Sequence, residues 1–124
     1  GVVSYANEVK INELGVDPGD IETVGAVSKS VALQMAKGVA KKLGADVGIS
    51  TTGIAGPGGG TPEKPVGTVW IGFYSNEQHF AVKALLTKDR LVNKQRTTVM
   101  ALEMIRRILS GIEELPYALT KETA

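Results

Sequence analysis

The chain has 124 residues, 43% of them hydrophobic, with 14 basic and 13 acidic side chains and a formal net charge of +1. This length predicts one domain, and the balanced charge gives no electrostatic bias toward nucleic acid or anionic lipid, so neither is expected as a partner. The absence of cysteine excludes disulfides, thiolate metal sites and a cysteine nucleophile; no apolar run is long enough to span a bilayer, and a cytoplasmic protein is expected.

The first predicted elements are a strand and a short helix. Residues 2–5 have the pattern of a strand that is entered midway, without a preceding cap or turn. We therefore interpret the chain as a fragment whose upstream neighbour is absent. A helix is expected over residues 7–14, ended by Gly15, and residues 17–20 are typical of a turn.

The next element is a helix with clear boundaries, predicted to run from its N-cap Ser28 to Leu43 and to end at Gly44. Its apolar residues recur every three to four positions and form one broad face, which we interpret as core packing. Gly38 lies within that face. It is expected to let another backbone approach closely.

Three strands are predicted after this helix, over residues 47–52, 66–74 and 80–86, and the last two form a hairpin. His79 stands at the start of the third strand and is interpreted as a surface histidine. Residues 87–89 cap a last helix that continues to residue 112, and residues 113–124 are expected to form a loose tail. Helices that alternate with a hairpin-containing sheet predict the α/β class with a mixed sheet.

The segment from residue 51 to residue 70 is unusually rich in glycine and proline. Such a loop is expected to fold closely over a ligand, with backbone amide donors turned toward it. The common nucleotide-binding motifs do not fit, because no Gly-Lys-Ser or Gly-Lys-Thr follows the glycines. The context is also strand–loop–strand, whereas those motifs need a helix after the loop.

Polar side chains collect at four places near the predicted strand ends. They are Tyr5, Asn7, Glu8 and Lys10; Ser50, Thr51 and Thr52; Glu63 and Lys64; and Lys88, Asp89 and Arg90. Each group has an ordinary interpretation as solvated surface, and the third is most simply an exposed ion pair. Alternation puts Ser50 and Thr52 on one face of their strand and Thr51 on the other. Arg90 is poorly placed for the helix dipole in a first helical turn, which points to an anion or a carboxylate as its partner.

Five segments in order resemble the C-terminal domain of the CinA competence/damage-inducible protein family. They are residues 5–10, 25–28, 52–59, 63–69 and 89–90. The resemblance covers roughly residues 1–112, which are expected to form the domain, with residues 113–124 as its tail. It implies a three-layer α/β/α fold with a mixed sheet and a homodimer or higher homo-oligomer.

The resemblance also implies an activity. Stand-alone members of the family hydrolyse the carboxamide of nicotinamide mononucleotide to nicotinate mononucleotide and ammonia, which returns a breakdown product to NAD synthesis. The chain is thus expected to be a hydrolase of pyridine nucleotide salvage. No cofactor is implied, and no metal is expected, because one histidine and no tight carboxylate cluster cannot build a metal site.

Individual roles follow from the same resemblance. The catalytic set is Tyr5 as an active-site hydroxyl, Lys10 in proton transfer, Thr52 as a polar contact to substrate and Arg90 as an electrostatic contact. The substrate-binding set is Asn7, Ser50, Gly53, Gly56 and Gly58. Amide hydrolysis needs a nucleophile, a proton carrier and donors for the developing oxyanion, and Lys10 is assigned to the proton transfer.

One departure from the family pattern concerns the nucleophile. The family's serine belongs to a Glu-Ser-Cys-Thr-Gly-Gly type motif upstream of the position that matches Gly1, and neither Ser4, Ser28 nor Ser50 has such a setting. The 124-residue chain alone is therefore expected to be catalytically silent. Two alternatives stay open: a non-catalytic ligand-binding or dimerisation module, since family members also occur fused to other domains, and a generic phosphate-binding fold with unrelated chemistry.

Overall fold

The computed structural model describes residues 1–123, which form four α-helices, three strands and one 3-10 turn. The helices are α1 (Asn7–Leu14), α2 (Pro18–Val24), α3 (Lys29–Leu43) and α4 (Arg90–Leu109). The strands are β1 (Gly48–Gly53), β2 (Thr68–Tyr74) and β3 (His79–Leu85), and the 3-10 turn is Pro116–Ala118. No helix within the described residues is both long enough and apolar enough to cross a membrane.

The three strands form one sheet in the order β1-β2-β3, and both pairings are antiparallel. The predicted hairpin is confirmed, with a turn closed by a 2.7 Å bond from the Ser75 amide to the Gln78 carbonyl. The α/β class is confirmed, but the sheet formed by residues 1–123 is antiparallel and not mixed. Residues 2–5 form no strand, because no neighbouring segment of the described chain offers them a ladder of hydrogen bonds.

Helices cover both faces of the sheet, so the predicted three-layer arrangement is seen. On one face α3 contacts all three strands near residues 32 and 33. Ser50 donates to the Ala32 carbonyl, Gly72 lies against the same carbonyl, and His79 Nε2 lies 2.8 Å from the Leu33 carbonyl. On the other face α4 packs on the larger core. That core consists of Val69, Ile71, Phe73, Phe80, Val82, Met100, Ala101, Met104 and Leu115.

The ends of α3 and α4 agree with the predicted capping residues. The Ser28 hydroxyl accepts a hydrogen bond from the Val31 amide at 3.3 Å, and Gly44 ends α3 in the left-handed conformation. Asp89 caps α4 by accepting from the Val92 amide at 3.0 Å. These bonds satisfy amides that have no partner within the helix. The last helix ends at Leu109, three residues before the predicted residue 112.

Gly38 allows a close approach between α1 and α3, as predicted. A Cβ atom at this position would overlap the backbone carbonyl oxygen of Leu14, the last residue of α1. Behind this contact Leu14, Val16, Val31 and Met35 form a second buried cluster. The absence of a side chain at Gly38 therefore fixes the distance between the two helices, and with it the position of the side chains on α1.

The turn predicted over residues 17–20 is wrong, because a helix begins there. The Asp17 carboxylate accepts a 2.8 Å bond from the Gly19 amide, and Pro18 occupies the first helical position of α2. Proline is well suited to that position, since the amide it lacks would have no partner there.

The loose tail predicted over residues 113–124 is also wrong for the residues that the structure describes; Ala124 lies outside them. Leu115 and Pro116 are buried. Glu122 pairs with Ala81 of β3 through two backbone hydrogen bonds of 2.8 and 2.9 Å. Burial of these apolar side chains and pairing with the outer edge of β3 offset the conformational entropy that the segment loses.

Candidate functional site

A cleft of about 720 Å³ lies along the edge of β1 that has no partner strand within residues 1–123. Residues 49–53 of β1 form its floor. One wall comes from residues 1–5, α1 and the turn before α3, and the other comes from the first half of α4. Because the cleft follows the edge of the sheet, it is open to side chains from both faces of β1.

Lys10 is the most unusual side chain of the first wall, since it is only 6% exposed. Helix α1 carries it, and its Nζ donates a hydrogen bond to the backbone carbonyl of Ser4. Burial lowers the pKa of the Lys10 amine below the ordinary lysine value, because the charged form loses its hydration. Tyr5 and Asn7 lie beside it on the cleft, and Tyr5 is 78% exposed.

The hydroxyls of β1 divide between the two faces as predicted. Ser50 and Thr52 point toward α3, where Ser50 donates to the Ala32 carbonyl at 2.6 Å and Thr52 donates to the Ala26 carbonyl at 2.8 Å. Both hydroxyl protons are therefore used to hold the chain around α3. Thr51 points the other way, is exposed and lines the cleft. Thr51 was not among the predicted site residues, although the alternation of the strand placed it apart from the other two.

The second wall is held by Arg90 and Asn93. Arg90 Nη1 donates to the Gly56 carbonyl at 3.0 Å, so its partner here is a loop carbonyl. Asn93 is buried, and its Nδ2 donates to the carbonyls of Ala55 and Thr87 at 3.1 and 2.8 Å. These bonds fasten the start of the glycine-rich loop to α4. Arg90 thus reaches the cleft from the face of the sheet opposite to Thr52.

Most of the predicted site residues line this one cleft. They are Tyr5, Asn7, Lys10, Ser50, Thr52, Gly53 and Arg90. Gly56 and Gly58 do not line it. Gly56 is packed against Val66, and Gly58 is exposed, with no atom within 4 Å of where its Cβ atom would lie.

The glycine-rich loop was predicted to fold closely over a ligand, but it does not close over the cleft. Its tip is exposed, and only its first residues, Gly53 and Ala55, reach the lining. The loop is held at the end of the sheet from both sides, by Arg90 on one and by Lys64 on the other. Lys64 Nζ donates to the Val24 carbonyl, so the ion pair predicted between Glu63 and Lys64 is wrong, and the lysine serves as a tether instead.

The charged side chains that line the cleft are all basic: Lys10, Arg90 and Lys94. No carboxylate lies among the lining residues. The three ion pairs within residues 1–123 use Lys42, Arg106 and Arg107, so none of the three basic residues of the cleft is neutralised by an acidic side chain. Because Arg90 and Lys94 have no acidic partner among the described residues, the α4 wall of the cleft favours an anionic ligand.

The described chain offers no group of three histidine or carboxylate side chains placed to hold a metal ion. His79, interpreted as a surface histidine, is half-buried, and its Nε2 lies 2.8 Å from the Leu33 carbonyl. It therefore connects β3 to α3.

Comparison with known proteins identifies close relatives. The profile of the CinA C-terminal domain family matches residues 1–109. A CinA-like protein of Salinibacter ruber is 53% identical over 109 residues, 88% of this chain and 26% of the relative. Another CinA-like protein, of Chlorobaculum tepidum, is 48% identical over 122 residues, 94% of this chain and 28% of the relative. The chain thus spans about a quarter of the length of the curated relatives it matches.

A solved structure has the same fold. The crystal structure of the competence/damage inducible protein CihA from Agrobacterium tumefaciens superposes with a TM-score of 0.83 at 37% sequence identity. The match covers 86% of this chain and 66% of that chain. The resemblance carried by five short segments is therefore confirmed, and it extends over residues 1–109.

Proposed function

The chain belongs to the CinA C-terminal domain family, and we propose on that premise that it is the amidohydrolase domain that converts nicotinamide mononucleotide to nicotinate mononucleotide and ammonia. The observation that carries the proposal is Lys10, a buried lysine whose pKa is lowered and which lines a cleft. Burial disfavours the charged form of the Lys10 amine, so the neutral form is more accessible than in an exposed lysine. A neutral amine beside a ligand cleft is a proton acceptor suited to activating a hydroxyl nucleophile.

The proposed reaction needs a serine that the family pattern locates before the position of Gly1. As the serine oxygen bonds to the carboxamide carbon, its proton passes to the neutral amine of Lys10. When the carbon–nitrogen bond breaks, Lys10 returns the proton to the leaving nitrogen, which departs as ammonia. Water then attacks the acyl carbon while one of its protons passes to Lys10. As the ester bond breaks, Lys10 returns that proton to the serine oxygen, and the product leaves as the carboxylate with its acid proton lost to solvent.

Tyr5 and Thr52 have different parts in this scheme. The exposed phenol of Tyr5 is free to donate to the developing oxyanion or to the leaving group. The Thr52 hydroxyl already donates to the Ala26 carbonyl, so only its oxygen is left to accept a hydrogen bond from the substrate amide. Thr52 therefore positions the substrate, and its bond to Ala26 holds the turn before α3 in place.

Arg90 supplies the electrostatic contact to the anionic part of the nucleotide. One guanidinium nitrogen bonds the Gly56 carbonyl, which fixes the orientation of the group and leaves its other donors for a phosphate. A bound phosphate would be the anionic partner expected for an arginine in a first helical turn.

Replacing Arg90 by alanine tests this part of the proposal in a chain extended upstream through the serine motif. We expect kcat/KM for nicotinamide mononucleotide to fall by about tenfold or more, because a charge-assisted contact of about 1.5 kcal/mol is lost. Hydrolysis of nicotinamide riboside, which lacks the phosphate, should change little. Arg96→Ala is the matched control, since Arg96 is exposed on the same helix but does not line the cleft. An equal loss for both substrates would remove Arg90 from the phosphate contact.

A further inference from the structure

We propose that Lys94 is a second contact to the phosphate of the substrate and that, together with Arg90, it sets the preference for a nucleotide over a nucleoside. The inference rests on the proposed function and adds a specificity-determining residue to it. Lys94 follows Arg90 by four positions on α4. Residues at this spacing lie on one face of a helix with their Cβ atoms about 5–6 Å apart, and both side chains line the cleft.

The other polar side chains of α4 on the cleft have already used their donors. Both hydrogens of the Asn93 amide are bonded to the carbonyls of Ala55 and Thr87. The Thr97 hydroxyl donates to the Asn93 carbonyl at 2.7 Å, and the Thr98 hydroxyl donates to the Lys94 carbonyl at 3.0 Å. Recognition of an anion by this wall therefore depends on Arg90 and Lys94.

The electrostatics of the helix favour an anion between these two cations. Like charges four residues apart on a helix repel each other, and both lie in the first turns of α4, where the helix dipole is unfavourable to positive charge. No acidic side chain of residues 1–123 forms an ion pair with Arg90 or Lys94. A bound anion would offset both the repulsion between the two cations and their unfavourable interaction with the helix dipole.

Two cations also match the charge of one particular group. A phosphate monoester carries about −1.5 to −2 charges near neutral pH, so Arg90 alone leaves it undercompensated. The arginine has a fixed direction because of its bond to Gly56, whereas a lysine is a flexible point charge. We therefore assign orientation of the phosphate to Arg90 and neutralisation of its second charge to Lys94.

The test compares Lys94→Ala with Lys88→Ala, whose lysine is exposed next to the same helix but outside the cleft. In the chain extended through the serine motif, Lys94→Ala should lower kcat/KM for nicotinamide mononucleotide about fivefold at low salt. The rate with nicotinamide riboside should stay within about twofold. Lys94→Arg should restore most of the loss, and the difference between substrates should shrink as salt is raised.

A binding measurement on the 124-residue chain separates this inference from the proposed reaction. Titration calorimetry should detect tighter binding of ribose 5-phosphate than of ribose, with the advantage reduced by Lys94→Ala and kept by Lys88→Ala. If this holds while the chain extended through the serine motif hydrolyses no amide, Lys94 is a phosphate contact and the proposed function is wrong. If hydrolysis occurs but Lys94→Ala affects both substrates equally, or leaves both unchanged, the assignment of Lys94 is wrong and the proposed function stands.

Discussion

Replacing Lys10 by methionine should lower the hydrolysis of nicotinamide mononucleotide by about a thousandfold in a chain extended upstream through the serine motif. General acid–base catalysis by a positioned side chain contributes typically 10²–10⁴-fold, and Lys10 is the buried amine of the cleft. Methionine has a similar length and is apolar, so the site should stay filled and the fold intact. Ammonia release under saturating substrate measures the effect.

The companion variant Lys10→Arg distinguishes a role of Lys10 in proton transfer from a role as a fixed positive charge. Arginine keeps a positive charge and a donor for the Ser4 carbonyl, but it does not lose its proton in proteins. We expect it to be as inactive as methionine. Substantial activity in Lys10→Arg would mean that Lys10 acts as a fixed cation, and the proton-transfer role would have to be abandoned.

The pH dependence follows from the lowered pKa of Lys10. The neutral amine is the active form, so kcat/KM should rise with pH as the proton leaves, along a limb centred below the ordinary lysine pKa. The stability of the fold should also rise with pH. The folded chain binds this proton less tightly than the unfolded chain, so the free energy of unfolding increases with pH between the lowered and the ordinary pKa values. Both effects should disappear in Lys10→Met.

Replacing Gly38 by alanine should strongly destabilise the domain, because the new methyl group overlaps the Leu14 carbonyl oxygen. Alanine gains about 1 kcal/mol in helix propensity, and the forced separation of α1 and α3 costs more than this gain, so we expect a net loss of about 2 kcal/mol. For a domain of this size the melting temperature should fall by about 10 °C. Thermal unfolding followed by circular dichroism measures it.

Gly58→Ala is the control for the same chemical change, since no atom lies within 4 Å of the added carbon. It should leave the melting temperature nearly unchanged. An unchanged or higher melting temperature for Gly38→Ala would contradict the close approach of α1 and α3. Because α1 carries Lys10, the same approach also sets the position of the proposed proton carrier.

Local signals predicted the parts of the fold that short-range chemistry controls. Ser28, Gly44 and Asp89 act at helix ends, where their hydrogen bonds or left-handed backbone are local properties of the chain. The prediction for Gly38 was correct because a glycine within the apolar face of a helix leaves room for a neighbouring backbone. The placement of Thr51 and Thr52 on opposite faces of β1 was predicted correctly because successive side chains of a strand point to opposite faces.

Features that depend on distant contacts could not be predicted in the same way. Residues 2–5 have a strand pattern, but pairing requires a neighbour, and none lies beside them in the described chain. Residues 113–123 look polar and irregular, yet Leu115 is buried and Glu122 pairs with Ala81. The helix start at Asp17 was a different kind of error, since the capping aspartate and the proline after it are a recognisable helix signal.

The candidate site also combines features that the sequence predicted with features that depend on distant contacts. The resemblance selected Lys10 and Arg90, but only the folded chain shows that the two reach one cleft from opposite faces of the sheet. It also shows that the exposed loop tip stands away from the cleft, which no composition could reveal. Lys94 was missed because a lysine on an exposed helix has no unusual sequence feature. Only the fold shows that it lines the cleft together with Arg90.

Ammonia release from nicotinamide mononucleotide, with the pyridine product identified by mass, is the sharpest test of the proposed hydrolysis. The chain extended upstream through the serine motif should release one ammonia for each nicotinate mononucleotide formed, and Lys10→Met should lower that rate by about a thousandfold. The 124-residue chain should release none. Failure of the extended chain to release ammonia would contradict the proposed function, and robust turnover by the 124-residue chain would show that one of its own residues is the nucleophile.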